Sequence, residues 1–383
     1  MSDTSIKLRS PYYIKTLPTT GANYVAIGLR FWQGNRNTVP AGYQYNLTKF
    51  VVDNQDFVIF EIASLTRDYL TLTYSGTHTE DENIWSRFDY TVFDVSGTAL
   101  YSLGETNLCA DGYTEFTDGM NYLPALQDLL QSNLCMQIPV NEKTCVNVNG
   151  FNTNAVKFYD QGSLVKNVGI PQSDQSTNGV INICYEEDGG NYYDRVNANV
   201  IGSAIRTICV DAFYDSIDYG AVDKIVIENQ DPAVSTTINV ERITECKYPI
   251  HKLSFVNKFG AIQDLFMFKN SKENLRTSDK TFQRNLMVES NFNYNTTEHQ
   301  KRTILKQGNK SITLNSGYVG ECFNSAYEEL FLSEQIWLTD EMTEIFPVYL
   351  KDKSFKYKTE LNEKLINHTI NFEYAFDQIN NIR

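Results

Sequence analysis

The segment LINHTINFEYAF, Leu365 to Phe376, alternates with a period of two. Ile366, His368, Ile370, Phe372, Tyr374 and Phe376 fall on one side, and Thr369, Asn371, Glu373 and Ala375 on the other. Successive side chains of a strand point to opposite faces, so this pattern demands a β-strand with one buried face. The same period recurs along much of the chain. Val25, Ile27, Leu29 and Phe31 share a side, and LTLTY (Leu70 to Tyr74) and FDYTVF (Phe88 to Phe93) alternate as cleanly. Helical periodicity is scarce by comparison. Near Glu321 to Glu334, Phe323, Ala326, Tyr327, Leu330 and Phe331 form a helical apolar stripe. The fold class expected is mainly β: two small β-sandwich-like domains followed by a mixed α+β C-terminal domain.

At 383 residues the chain exceeds the usual reach of one core. Residues 1–105 read as an N-terminal β-sandwich, with ASLTRDY (Ala63 to Tyr69) as one helical turn crossing between sheets. Residues 106–138 read as a connector carrying a short helix from Pro124 to Gln131, since Pro suits a helix's first turn. Residues 139–245 read as a second β-rich domain, in which Val222 to Glu228 and Thr237 to Glu241 pair as a hairpin across Asp231-Pro232. Residues 246–383 form the α+β domain, with strands at Phe346 to Leu350, Lys353 to Lys358 and Leu365 to Phe376. Within it the polar stretch 271–310 is too long for a simple connection and is expected to be an extended hairpin arm or a segment ordered by a partner.

The chain holds 33 Lys and Arg against 47 Asp and Glu, a net charge of −14. That balance argues against general nucleic-acid binding, which depends on cationic side chains neutralising phosphates. Only 21% of residues are charged while 13% are aromatic, a balance that suits sheets and large protein contacts. MSDTSIKLRSPYY has no apolar core segment of a signal peptide, and no apolar run is long enough for a bilayer. Seven scattered cysteines, an odd number, do not read as a disulfide scaffold and suit a reducing cytoplasm. With the pattern running to the last residue, the chain is expected to be a component built to fit into an assembly.

Motifs for chemistry are missing. The histidines (His78, His251, His299 and His368) form no HExxH or short Cys/His cluster, and His368 on the apolar face of the last strand reads as a core histidine. No CxxC pair and no Walker or dinucleotide glycine spacing occurs. Glu186-Glu187-Asp188 before Gly189-Gly190 reads as a solvated hairpin turn, since it lacks an EF-hand's alternating ligands. Tyr43, Tyr45, Tyr192 and Tyr193 are candidate sugar platforms, with core or edge packing as the competing reading. No catalytic residue, metal ligand or cofactor is expected. The candidate contact residues come from three segments. Ile262, Leu265, Phe266 and Phe268 lie in the apolar run, Phe282 and Tyr294 in the arm, and Phe355 and Tyr357 in the strand after it.

Several stretches resemble structural proteins of tailed bacteriophages, including crAss-like and other phages of Bacteroidetes or marine hosts. They are SPYYIK (Ser10 to Lys15), ECKYPIHKLSFVNKFGAIQDLFMF (Glu245 to Phe268), ITLNSGYVGECFNSAYEELFLSEQIWL (Ile312 to Leu338) and LNEKLINHTINFEYAFDQINNIR (Leu361 to Arg383). The resemblance implies a virion protein of the tail, baseplate or head–tail connector, made in the host cytoplasm and assembling as a symmetric ring. Its implied partners are copies of itself, neighbouring tail or neck proteins and, transiently, passing DNA; it implies no membrane insertion and offers no catalytic residues. A carbohydrate- or receptor-binding β-domain protein is the competing reading, and a hydrolase assembled from distant residues is a third.

Overall fold

The computed structural model describes residues 5–17, 19–33, 38–52, 57–72, 74–76, 83–122, 129–140, 142–149, 153–169, 183–187, 190–194, 205–210, 213–214, 217–218, 222–229, 235–286, 293–340, 344–356 and 366–379. The protein is mainly β, with 58% of the described residues in strands and 7% in helices.

The first region contains β1 (Ser5–Lys7), β2 (Tyr13–Thr16), β3 (Ala22–Trp32), β4 (Tyr45–Phe50), β5 (Val58–Glu61), α1 (Ala63–Arg67), β6 (Asn83–Asp94) and β7 (Ala99–Ala110). Five strands form one sheet in the order β1-β7-β6-β3-β4, and β2 pairs with β5 alone. The alternation of β3 is realised as expected: Val25, Ile27, Leu29 and Phe31 are buried, packed with Ile14, Val58 and Phe60 from the β2–β5 ladder. Strand β7 runs to Ala110, held there by β1 in parallel register, Ser5 opposite Leu108. The described residues of LTLTY, 70–72 and 74, are not strand. Leu72 and Tyr74 instead pack on the C-terminal sheet, the Tyr74 ring 5.2 Å from Trp337 and its hydroxyl accepting from Ser254 Oγ at 2.9 Å. Its period-two pattern serves docking rather than pairing.

The second region holds β8 (Cys135–Pro139), β9 (Thr144–Asn149), β10 (Thr153–Asp160), β11 (Ser163–Gly169), β12 (Ile183–Glu187), β13 (Gly190–Asp194), β14 (Ile205–Val210), β15 (Phe213–Tyr214), β16 (Ile217–Asp218), β17 (Lys224–Asn229) and β18 (Ser235–Ile243). Seven of these form a sheet in the order β13-β12-β11-β10-β17-β18-β8, and β9 pairs with β14. The expected hairpin is β17–β18, antiparallel with Lys224 opposite Asn239. Residues 124–128 of the expected connector helix lie outside the described residues, and its described end is not helical, since Leu129 forms a bridge to Val148.

The third region comprises β19 (His251–Val256), β20 (Ile262–Met267), β21 (Lys272–Gln283), β22 (Lys301–Val319), α2 (Asn324–Leu332), β23 (Ile336–Asp340), β24 (Glu344–Leu350) and β25 (Ile366–Tyr374). They build a seven-stranded sheet in the order β20-β19-β23-β24-β25-β22-β21, with α2 packed on it. The expected helical stripe supplies the contact: Phe323, Ala326, Tyr327 and Leu330 are buried against Ile312, Ile370 and Phe372. Strand β25 buries Ile366, His368, Ile370, Phe372 and Tyr374, the face read from the sequence. Residues 351–356 are not a strand, because β24 ends at Leu350 and pairs with β23 and β25 on its two sides, leaving no free edge.

Strand β20 explains the apolar run IQDLFMF. Leu265 and Met267 point into the core under α2, whereas Phe266 and Phe268 point into the core of the second region with Ile138, Val146 and Phe158. A strand buried on both faces reads as continuously apolar, which is the pattern here. Two further ties join these regions. Asn147 Nδ2 donates to Ile262 O at 2.7 Å, and Cys135 of β8 forms a disulfide with Cys322 just before α2. Cys145 is disulfide-bonded as well. The expectation of an unbridged set of thiols is thereby corrected: Cys135 and Cys322 are 187 positions apart, so sequence spacing carried no hint of a pair that the packing of β8 on the turn Glu321–Phe323 brings together.

Candidate interaction surface

The feature that stands apart from these cores is the β21–β22 ribbon. Strand β22 pairs with β25 from Ser311 to Val319, but its residues 301–310 continue with β21 alone. At about 3.4 Å per residue this gives roughly 30 Å of two-stranded ribbon beyond the sheet. Near the root, Gln378 N donates to Gly308 O at 2.8 Å. All of β21 is exposed, and its outer edge has no partner strand among the described residues. The opposite edge of the sheet, β20, is covered by the second region. Isolated two-stranded hairpins are marginally stable in water, and long exposed edges invite pairing.

The ribbon's two faces differ electrostatically. Glu273, Leu275 and Asp279 share the face of Ile312, which is buried in the sheet's core. Their cross-strand partners there include Lys310 and Lys306, and Lys310 Nζ lies 3.4 Å from Glu273 Oε2. The other face carries Lys272, Arg276 and Lys280 and, past a bulge after Lys280, Phe282 opposite Arg302. Glu373, opposite Ser311, is the carboxylate at the root of this face; Tyr349 and Lys351 hold its pKa below the usual carboxylate range together with Asn309. Asp377 reaches Gln307 at 3.4 Å. Beyond Gln307 neither strand contributes a carboxylate to this face. At the tip Arg284 is engaged by Glu298.

The sequence-derived contact residues divide sharply. Ile262, Leu265, Phe266 and Phe268 are buried inside the chain, so they have no surface to offer a neighbour; the last three are spent on the two cores that β20 separates, and Ile262 packs with Tyr74 and Val256. Phe282 and Tyr294 are exposed, at 44% and 59%. Phe355 is half-buried, its ring 5.3 Å from Phe331 and 5.4 Å from His368, so it serves the core under α2. Tyr357 lies outside the described residues. Arg276, Lys280 and Arg302 were not singled out from the sequence. A local charge count would have found them, since residues 272–310 hold eight Lys and Arg against four Asp and Glu in a chain of net charge −14.

Other polar clusters lie at joints between the regions. Asn257 Nδ2 donates to Leu130 O at 2.8 Å, and its Oδ1 accepts from Phe259 N and Ala261 N. Gln263 Nε2 donates to Asn133 Oδ1 at 2.8 Å. Glu329 of α2 accepts from Ser132 Oγ and from Lys258 N, and burial pushes its carboxyl above the usual range. Lys7 lines a cleft of about 80 Å³ with Tyr113, Glu115, Asp118 and Phe259. Burial lowers its amine to about 7, and its Nζ donates to Phe259 O at 2.9 Å, pinning β1 to the β19–β20 turn. His368 is sandwiched by Tyr327 (4.4 Å) and Phe355, as a core histidine is. Tyr43 is a poor sugar platform: Arg30 stacks on its ring at 4.5 Å, and the ring lies close over Gly28, where a Cβ would meet it at 2.5 Å. Side chains of Tyr192 and Tyr193 lie outside the described residues. Among the described residues no group of three His, Cys, Asp or Glu is placed to hold a metal, and no helix is long and apolar enough to cross a membrane.

No known protein family matches this chain, and no curated protein does.

Proposed function

We propose that this protein is a non-enzymatic structural component of a bacteriophage virion, in the tail, baseplate or neck, whose copies close into a symmetric ring. The observation that carries the reading is the β21–β22 ribbon, a solvent-exposed arm rooted in a covalently braced body. A ribbon exposed on both faces gains little from its own fold, and contact with a neighbour supplies the burial it lacks. The resemblance of the segments around β19–β20, α2 and β25 to tailed-phage structural proteins supports the virion setting. The buried joints between the three regions suit a rigid building block, because they leave the arm as the protruding element.

The test is immunogold labelling of purified phage particles with antibody against this chain, with blotting of the same preparation. Gold at one fixed level of the tail or neck is expected. A chain missing from intact particles by both methods would overturn the virion assignment.

A further inference from the structure

Resting on the ring reading above, we propose that the cationic face of the ribbon docks on the acidic body of a second copy of this chain, head to tail. Residues 272–310 carry a surplus of four positive charges; with −14 for the whole chain, the remainder carries −18. A chain divided in this way is electrostatically complementary to itself, but only between a projecting arm and a different surface. Such a contact is heterologous, and it closes a ring when the rotation between successive copies divides a full turn.

The placement of side chains sharpens the assignment to one face. On the face shared with Ile312, Lys310 reaches diagonally to Glu273 at 3.4 Å and Asp279 sits opposite Lys306, so that face is largely neutralised within the ribbon. On the other, the side chains of Arg276, Lys280 and Arg302 form no ion pair or hydrogen bond among the described residues, and Phe282 stands among them 44% exposed. Arg276 and Lys280 are four residues apart on one strand, about 13 Å, so the row engages several carboxylates spread along a surface rather than one small anion. Arg302 directly opposite the exposed Phe282 is also a composition enriched at interface centres. A nucleic acid would meet the same row. Away from the arm it would meet a body of charge −18, whereas a second copy presents that charge as the complement.

The experiment is sedimentation velocity on the full chain at about 0.1 M and about 1 M salt, where the Debye length falls from about 10 Å to about 3 Å. Wild type is compared with the triple variant Arg276→Glu/Lys280→Glu/Arg302→Glu. Wild type should self-associate at the lower salt and dissociate at the higher, and the variant should associate at least about tenfold more weakly. The fold should survive, since these side chains are exposed and form no ion pair or hydrogen bond among the described residues; if reversal does unfold it, Arg276→Gln/Lys280→Gln/Arg302→Gln should give the same direction with a smaller loss. Association that ignores both salt and the reversal would overturn the docking assignment while leaving a ring built through another surface. A wild type that stays monomeric at both salts would overturn both the docking and the ring. A monomeric wild type that retains a fluorescent duplex oligonucleotide, with retention lost in the triple variant, would assign the face to nucleic acid instead.

Discussion

Replacing Phe266 by Ala tests whether β20 is an internal wall or an outward contact strand. The Phe266 side chain is 7% exposed and packs in the core of the second region, while Leu265, its neighbour in sequence, packs in the core under α2. Burying a Phe side chain is worth about 1.5–3 kcal/mol, and the cavity left by truncation brings the usual cost of Phe→Ala to about 3–5 kcal/mol. Phe282→Ala, on the exposed arm, should change stability by no more than about 0.5 kcal/mol. Urea titration of the isolated chain, followed by tryptophan fluorescence, separates the two. The slope grows with chain size and exceeds about 3 kcal/mol per molar urea for 383 residues, so Phe266→Ala should lower the midpoint by roughly 0.5 M or more and Phe282→Ala should barely move it. Equal midpoints for the two variants would refute the burial argument and return the apolar run to the surface. Leu265→Ala gives the internal check, since the opposite core should lose about 2–5 kcal/mol.

Two other outcomes follow from the joints between regions. Burial raises the Glu329 carboxyl, so folding favours its protonated form; the stability this contributes is full below the unfolded value of about 4.3 and is lost as pH rises through the folded value. Glu329→Gln should therefore become progressively more stable than wild type as pH rises across that window, and parallel stability–pH curves would sink the account. Reducing Cys135–Cys322, which spans 187 residues, should destabilise the chain by about 5 kcal/mol on the loop-entropy scale, read as a lower denaturant midpoint in dithiothreitol. An unchanged midpoint with both thiols demonstrably reduced would show that the bridge adds nothing to the native packing.

Much of the fold was legible because one-sided burial writes itself as a period. The faces of β3 and β25 and the stripe of α2 are where alternation and helical spacing placed them. Period fails where two cores share a strand: β20 shows an unbroken apolar run, which fits a surface contact as well as a double-faced wall. It also misleads where a segment alternates in order to dock, as Leu72 and Tyr74 do against Trp337. The arm was visible as a long polar stretch, but its polarity between faces was not. Which side Arg276 and Arg302 share depends on the register and on the bulge after Lys280, and neither is encoded locally.

The double-faced burial of β20 also sets an order of events during synthesis. When the chain has emerged from the ribosome only as far as Ile243, the last residue of β18, all eleven strands of the second region are present in sequence. Their core nevertheless lacks Phe266 and Phe268, and β8 still awaits Cys322. The middle of the protein therefore waits, incompletely filled, for chain that is translated later. Because Cys322 follows the β21–β22 ribbon in the chain, a protomer whose Cys135–Cys322 bridge has closed is one whose ribbon has already been made.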